Sequence, residues 1–434
     1  MPIRWHAIVA GHTDREVPAV SATTAEKATL VGRIGLMMLG CGTGAFRVRE
    51  AMNLVSRAIG ITCTADIGLV NINVTIFDGA HHYTEALSLP SAGINTDRLN
   101  DLELFLDVFE KNAKCYSVEQ FHKILDHIAE KPANYKPISL ALAAALACGG
   151  FCFLLGGGLF EVICAFIGAG VGQFIRSVMA RKKITLYAVI AVSVACACIT
   201  YVLCIKALES LVEIPQAKEA GYICSMLFII PGFPLITGGI DLAKQDMRSG
   251  LERLAYAIIM IIVATTTGMI AAYALHFHPV PFEPLHLHPV LYCLLRILAS
   301  WCGVYGFSYL YNSPRKMALA AALFGMLSNT LRIELVEIFS LPVGVGAFIG
   351  ALAAGLMAGL VERRTGYPRI ALTVPSIVIM VPGMFMYQSL YFFGVGQPDA
   401  GLNAFAKAAV IAITLPLGLI TARIIQDKNF RKSY

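Results

Sequence analysis

Ile229-Ile230-Pro231-Gly232-Phe233-Pro234-Leu235-Ile236-Thr237-Gly238-Gly239-Ile240-Asp241 is an apolar run interrupted by Pro231, Gly232 and Pro234 where a membrane helix should continue unbroken. Pro231 has no amide hydrogen and collides with the preceding turn, Gly232 loosens the backbone, and Pro234 repeats the interruption, so the run predicts a kinked or broken helix. Freed backbone groups cannot face lipid, which places the break against a protected cavity. Met380-Val381-Pro382-Gly383-Met384-Phe385 carries the same interruption further along, preceded by Pro375 and Ser376.

The surroundings of both runs set the class of molecule. Of 434 residues, 57% are hydrophobic and 14% charged, and the mean hydropathy is +0.69. Such a composition excludes a water-soluble globule. Ten stretches approach the roughly 20 apolar residues that a bilayer crossing needs. They lie at 138–157, 159–178, 184–205, 222–240 and 254–275, then at 289–310, 317–331, 341–361, 370–393 and 403–423. The fold class expected is therefore a mainly α, polytopic membrane protein of about ten transmembrane helices, preceded by a small α/β soluble domain.

The two blocks of five match at an offset of roughly 151–156 residues. Pro137 and Pro289 introduce their first spans, Gln173-Phe174-Ile175-Arg176 and Asn329-Thr330-Leu331-Arg332 close their second, and the Pro-Gly pairs interrupt their fourth. A block with an odd number of crossings is followed by a copy inserted upside down, so the halves are expected to be an inverted-topology repeat, as in many secondary transporters. Domain boundaries follow: a flexible 1–22, a cytoplasmic α/β domain at 23–136, repeats at 137–276 and 289–424 joined by an outer His/Pro-rich loop at 277–288, and a tail at 425–434.

Net charge is +6, with the excess in short loops rather than one basic patch, which favours membrane orientation over a nucleic-acid partner. Arg181-Lys182-Lys183, Lys244, Arg248, Arg253, Arg315-Lys316, Arg363-Arg364 and Arg369 would all lie inside if both termini are cytoplasmic. Residues 1–30 hold Arg4, Asp14, Arg15, Glu16, Glu26 and Lys27 without an apolar core, so no secretory leader is expected and the location is the inner (plasma) membrane. Most of the twelve cysteines fall in apolar runs, where they act as small hydrophobes.

Polar residues at membrane depth are functional candidates by default. Gln173 and Arg176 share a helix face, as do Asn329 and Arg332, and inversion would set them as symmetric gate groups. Arg296, well inside its span, would suit a substrate carboxylate. Pro231, Gly232, Pro234, Thr237, Pro375, Ser376, Pro382, Gly383 and Tyr387 would line the cavity, with half-helix ends offering backbone groups. Asp241 follows the first break and is the candidate for proton coupling or gating. His276, His278, His286 and His288 flank a Pro-rich loop containing Glu283; clustered histidines can bind zinc, but this loop lacks a fixed scaffold, so no metal, catalytic residue or cofactor is expected.

In the soluble part, helices are expected at 23–40, 46–59, 97–112 and 117–130, and short strands at 62–65, 71–77 and 83–87, with alternation clearest at Val70, Ile72, Val74 and Ile76. Gly40-Cys41-Gly42-Thr43-Gly44 lacks the Lys-Ser/Thr of a phosphate-binding loop and follows a helix, which argues against an ATPase and for coupling to an ion gradient.

Gly44-Ala45-Phe46-Arg47-Val48-Arg49-Glu50-Ala51-Met52, the stretch 117–137, Ile230-Pro231-Gly232-Phe233-Pro234, Gly239-Ile240-Asp241-Leu242, Gly250-Leu251-Glu252-Arg253, Val374-Pro375 and Val381-Pro382-Gly383 together resemble the threonine/serine exporter (ThrE) family over nearly the whole chain. The resemblance implies proton-motive-force-driven efflux of threonine and serine and supports a role for Asp241. Two-subunit relatives associated with succinate export make a dicarboxylate the alternative substrate. The His-rich loop and a short, charge-interrupted seventh span depart from the family pattern. The expected partners are a small polar solute, protons, the lipid bilayer and, as an open possibility, further copies of the chain. An integral-membrane enzyme using the outer histidines is the reading from a different class; it would lose activity on their replacement, which an exporter should largely tolerate.

Overall fold

The structure, a computed structural model, describes residues 17–79, 81–212, 219–277, 285, 287–428 and 430–431. By contacts it divides into two units. The first joins the N-terminal residues up to Ala133 with Ile240–Arg253, and the second comprises Asn134–Gly239 and everything from Leu254 onward.

In the first unit, α1 (Thr24–Gly40) opens with a reciprocal cap between Thr23 and Glu26, which satisfies amides that a helix start leaves unpaired. Leu30, Val31, Ile34, Met38 and Leu39 are buried along it, so α1 is the central helix rather than a surface one. Gly35 lets it approach Met52 closely: an added methyl would lie 2.6 Å from that sulfur. The helix α2 (Ala45–Ala58) follows, and then an antiparallel sheet of β1 (Thr62–Ile67), β2 (Asn71–Asp78) and β3 (His81–Ser88) in the order β1-β2-β3. Ile72, Val74 and Ile76 turn one face of the central strand inward, as a period of two requires. The last two helices are α3 (Thr96–Asn112) and α4 (Val118–Glu130), the latter capped by Ser117 and Gln120. Phe105, Phe109 and Phe121 pack as an aromatic cluster between them. Strands run one or two residues beyond the expected 62–65, 71–77 and 83–87, because cross-strand pairing persists where side-chain alternation has faded.

The second unit begins with α5 (Pro137–Leu154), α6 (Leu159–Arg181) and α7 (Leu186–Glu209). Next come the short α8 (Glu219–Cys224) and α9 (Gly232–Ala243), then α10 (Met247–Ala274). After residues 278–284 the order repeats: α11 (Pro289–Leu310), α12 (Arg315–Glu337), α13 (Val343–Thr365), the pair α14 (Arg369–Val378) and α15 (Gly383–Gly394), and α16 (Pro398–Gln426). Eight of these helices are long and apolar enough to cross a membrane, and two bent pairs bring the total to ten if each is one crossing. The chain is a polytopic α-helical membrane protein with a three-stranded sheet near its N-terminus. Large apolar side chains such as Leu203, Ile270, Leu294 and Ile413 point outward from it, which only a lipid solvent accommodates in such numbers.

Three boundaries differ from expectation. The seventh span is not short: α12 continues from 331 to Glu337, because Arg332 bonds to Asn329 on its own helix and Glu334 and Glu337 are paired with Arg296. The fifth span begins at Met247 rather than 254, since Arg248, Ser249, Glu252 and Arg253 are helical but find polar partners. The last begins at Pro398, where a proline suits the first helical turn. All twelve cysteines are free.

Candidate functional site: two matched helix breaks

The two interruptions fold identically at the level of backbone hydrogen bonds. Before the first break, Ile229 N donates to Met226 O and Ile230 N to Leu227 O; before the second, Met380 N donates to Ile377 O and Val381 N to Val378 O. Across the proline, Gly232 N reaches Ile230 O at 2.8 Å and Gly383 N reaches Val381 O at 2.8 Å. This three-residue turn centres on a proline, and Pro382 at φ −80, ψ 49 lies near the inverse γ conformation. The following helix starts with Leu235 N on Pro231 O and, in the other half, Met386 N on Pro382 O. The bends are 67° and 50°.

The breaks also meet. A methyl on Gly232 would fall 2.5 Å from a Val378 methyl, and one on Gly383 would run into Ile230. Each half thus presses a bulky residue of its own break onto the glycine of the other. The first helices of the halves adjoin as well, since a methyl on Gly150 would lie 2.6 Å from Ala299 O.

Two arginines flank this region. Arg176 donates to Phe228 O at 3.3 Å, a carbonyl three residues before Pro231, and lies 3.5 Å from Gln173 Oε1. Arg332 donates to Asn329 Oδ1 at 3.1 Å, and Asn329 in turn donates to Ser300 Oγ at 2.9 Å. Gly350 faces both Arg332 Cβ and the Met380 sulfur, 3.1 Å from each by an added methyl, which sets Arg332 beside the second break. Neither arginine has an acidic partner among the described residues. Both are cations held by neutral groups, and partial burial leaves a charge deficit that an anion would offset.

Arg296 is differently placed. Its guanidinium stacks 3.9 Å from the Tyr292 ring and pairs with Glu334 at 3.2 Å and Glu337 at 2.5 Å. The carboxylates it meets are the chain's own. Sequence reasoning missed both acids because the seventh span was expected to end before them. Ser376 donates to Ala321 O and Leu372 O, and Thr237 to Phe233 O; both hydroxyls are buried on helix backbone, the commoner use of such residues in spans. Tyr387 is buried and stacks on Tyr391.

Asp241 belongs to the first unit. It is fully buried, accepts from Ser249 Oγ at 2.8 Å and pairs with Arg253 at 3.2 Å. The Arg253 fork reaches on to Gly42 O at 3.2 Å and Thr43 O at 2.8 Å. Gly44, at the N-terminus of α2, approaches so closely that a methyl there would lie 2.5 Å from Asp241 Oδ1. Around this core, Arg49 pairs with Asp246 at 2.6 Å, Arg248 with Asp66, and Glu252 accepts from Leu69 N at 2.6 Å. Between 182 and 211 residues of sequence separate these N-terminal groups from their partners at 248–253, so no spacing could have announced them. Of the four outer histidines, His278 and His286 lie outside the described residues, as does Glu283; among the described residues no group of three metal-ligating side chains occurs.

Eight apolar helices long enough to cross a membrane, two matched helix breaks in contact and two arginines beside them define a membrane transport protein. The model of the family described as "Putative threonine/serine exporter" matches residues 29–276, and a second, "Threonine/Serine exporter, ThrE", matches 296–425. The chain belongs to the threonine/serine exporter family. It is 24% identical to a "Threonine/serine exporter" of Corynebacterium glutamicum over 90% of this chain and 80% of that protein. A "Probable threonine/serine exporter" of Mycobacterium tuberculosis is 24% identical over 91% of this chain and 75% of the relative. The "Probable succinate transporter subunit YjjP" of Escherichia coli is 25% identical and aligns with 55% of this chain and 90% of its own length. No solved structure matches.

Proposed function

We propose that the chain is a secondary active exporter of threonine and serine, driven by the proton motive force, with its substrate site at the paired breaks. The observation that carries this reading is the matched backbone turn at Pro231-Gly232 and Pro382-Gly383, which interrupts one helix in each half and brings the interruptions together. Half-helix ends there can offer amides to a carboxylate and carbonyls to an ammonium group. The N- and C-termini lie in the cytoplasm, in keeping with the Lys and Arg distribution of the loops.

A second reading, export of a dicarboxylate such as succinate, is favoured by Arg176 and Arg332, two cations that have no ion-pair partner among the described residues. Efflux of preloaded labelled threonine, serine and succinate, from cells with and without the protein, separates the two. Faster loss of threonine and serine, abolished by a protonophore, is expected. Loss of succinate alone would replace the first reading with the second, and no accelerated loss of any of the three would remove both.

A further inference from the structure

Within the second unit, the start of α13 and the early part of α16 leave a groove of about 590 Å³ between them, inside the roughly 300–1,000 Å³ of small-ligand sites. Gly344 brings the two helices together there, since a methyl on it would lie 2.4 Å from Val410 Cγ1. Val345 and Phe348 line the groove from α13, Ala406 and Val410 from α16. Its lining holds two polar side chains, Thr414 and Lys407. Thr414 donates to Ile411 O on its own helix at 3.3 Å, which leaves the Lys407 amine as the polar group open to a ligand.

Lys407 sits in an apolar surface. Leu402 and Phe405 before it and Val410 and Ile413 after it are exposed, and the next charged residue along α16 is Arg423, sixteen residues on. That separation is roughly 24 Å of helix against a hydrocarbon core of about 30 Å. The amine therefore stands at the edge of the apolar band, at the level of lipid phosphates. Among the described residues Lys407 has no ion-pair partner; its contact is the Phe385 ring at 5.7 Å, and a ring face balances a cation only in part. A water-soluble anion would gain nothing from the apolar groove, and a second copy docked by two-fold symmetry would turn two such amines toward each other. A lipid answers both features at once, with a chain along the groove and a phosphate on the amine. We propose that the groove between α13 and α16 is a binding site for an anionic phospholipid, with Lys407 taking the headgroup phosphate. The site is independent of the substrate reading above.

The test uses the full-length protein in phosphatidylcholine vesicles that carry a small fraction of a lipid with a photoactivatable acyl chain, either phosphatidylglycerol or phosphatidylcholine. Adducts are mapped by peptide. At residues 343–348 and 406–414 the phosphatidylglycerol probe should label about fivefold more than the phosphatidylcholine probe, the advantage of one Lys near an anionic headgroup. The exposed mid-span side chains Val192 and Ile199 of α7 should label equally with both. Lys407→Gln should bring the groove to equal labelling by the two probes, whereas Lys407→Arg should keep the preference. Ala406→Phe, which fills the groove and leaves the charge in place, should lower labelling there with either probe. Equal labelling of the wild-type groove would mean ordinary annular lipid and overturn the site, as would a preference that survives Lys407→Gln. Absence of adducts in the groove would overturn it as well, and a dimer that Ala406→Phe dissociates would then assign the groove to a second copy of the chain.

Discussion

Arginine at membrane depth has two forms in this molecule, and the neighbours decide between them. Arg296 meets Glu334 and Glu337, which are themselves partly exposed, so its charge is already balanced. Arg332 has a side-chain amide and, among the described residues, no ion-pair partner. Replacement by glutamine keeps much of the shape and removes the charge. Arg332→Gln is expected to slow export of a carboxylate-bearing solute by about 10- to 100-fold, the size of a lost charge-assisted hydrogen bond of roughly 1.5–3 kcal/mol. Arg296→Gln should leave export per folded protein within about twofold, since its charge is already met by the chain's own carboxylates rather than by a solute. Equal effects in an efflux assay would mean that both arginines, or neither, meet the substrate. The Gln173/Arg176 and Asn329/Arg332 pairs were legible because they recur at one offset. The partners of Arg296 and Arg253 were not, because a side chain's counter-charge is set by packing between helices that sequence leaves unordered.

Among the helices, the breaks were the most legible feature, since proline and glycine act on the backbone directly and need no tertiary context. Their contact with each other was not legible, and it changes how they should be tested. Gly232→Ala would both straighten the helix and strike Val378, so a combined Pro231 and Gly232 replacement confounds two effects. Pro231→Ala alone restores an amide and relieves the clash with the preceding turn, at a preference of about 3 kcal/mol for unbroken helix. It should cut export by about tenfold at equal protein, and Pro382→Ala should do the same. Pro342→Ala is the matched control, because Pro342 sits at the N-cap of α13, where a missing amide costs nothing. Gly344 is unsuitable as a control: a methyl there runs into Val410. Transport unchanged in both Pro231 and Pro382 variants would move the site away from the breaks. Helix ends were read less well than helix existence, as at α12 and α10, where charged residues that ended the hydropathy signal stay helical because they are paired.

For the molecule as a whole, composition alone separated a charged N-terminal part from the apolar remainder, and the family matches extend over both. What composition could not reveal is that residues 240–253 pack with the N-terminal unit, because grouping across such a distance follows from folding and not from local character. Orientation is open to a direct measurement. Cys115 is exposed on the N-terminal unit, whereas Cys41 is buried and its thiol is pushed up to about 12 by that burial, which leaves almost no thiolate at neutral pH. In a variant retaining only these two cysteines, an impermeant maleimide should miss Cys115 in intact cells and label it after permeabilisation. Cys41 should react only once the protein is unfolded. Labelling of Cys115 in intact cells would reverse the topology and carry Arg181, Lys182 and Lys183 to the outer side.

The reciprocal fit of Gly232 against Val378 and Gly383 against Ile230 ties together two stretches of one gene that lie far apart. A larger residue arising at either glycine has to be answered by a smaller one in the opposite half, so single changes there are disfavoured and paired ones are the open route. The two halves are consequently not free to drift as separate lineages, however far their sequences have diverged elsewhere.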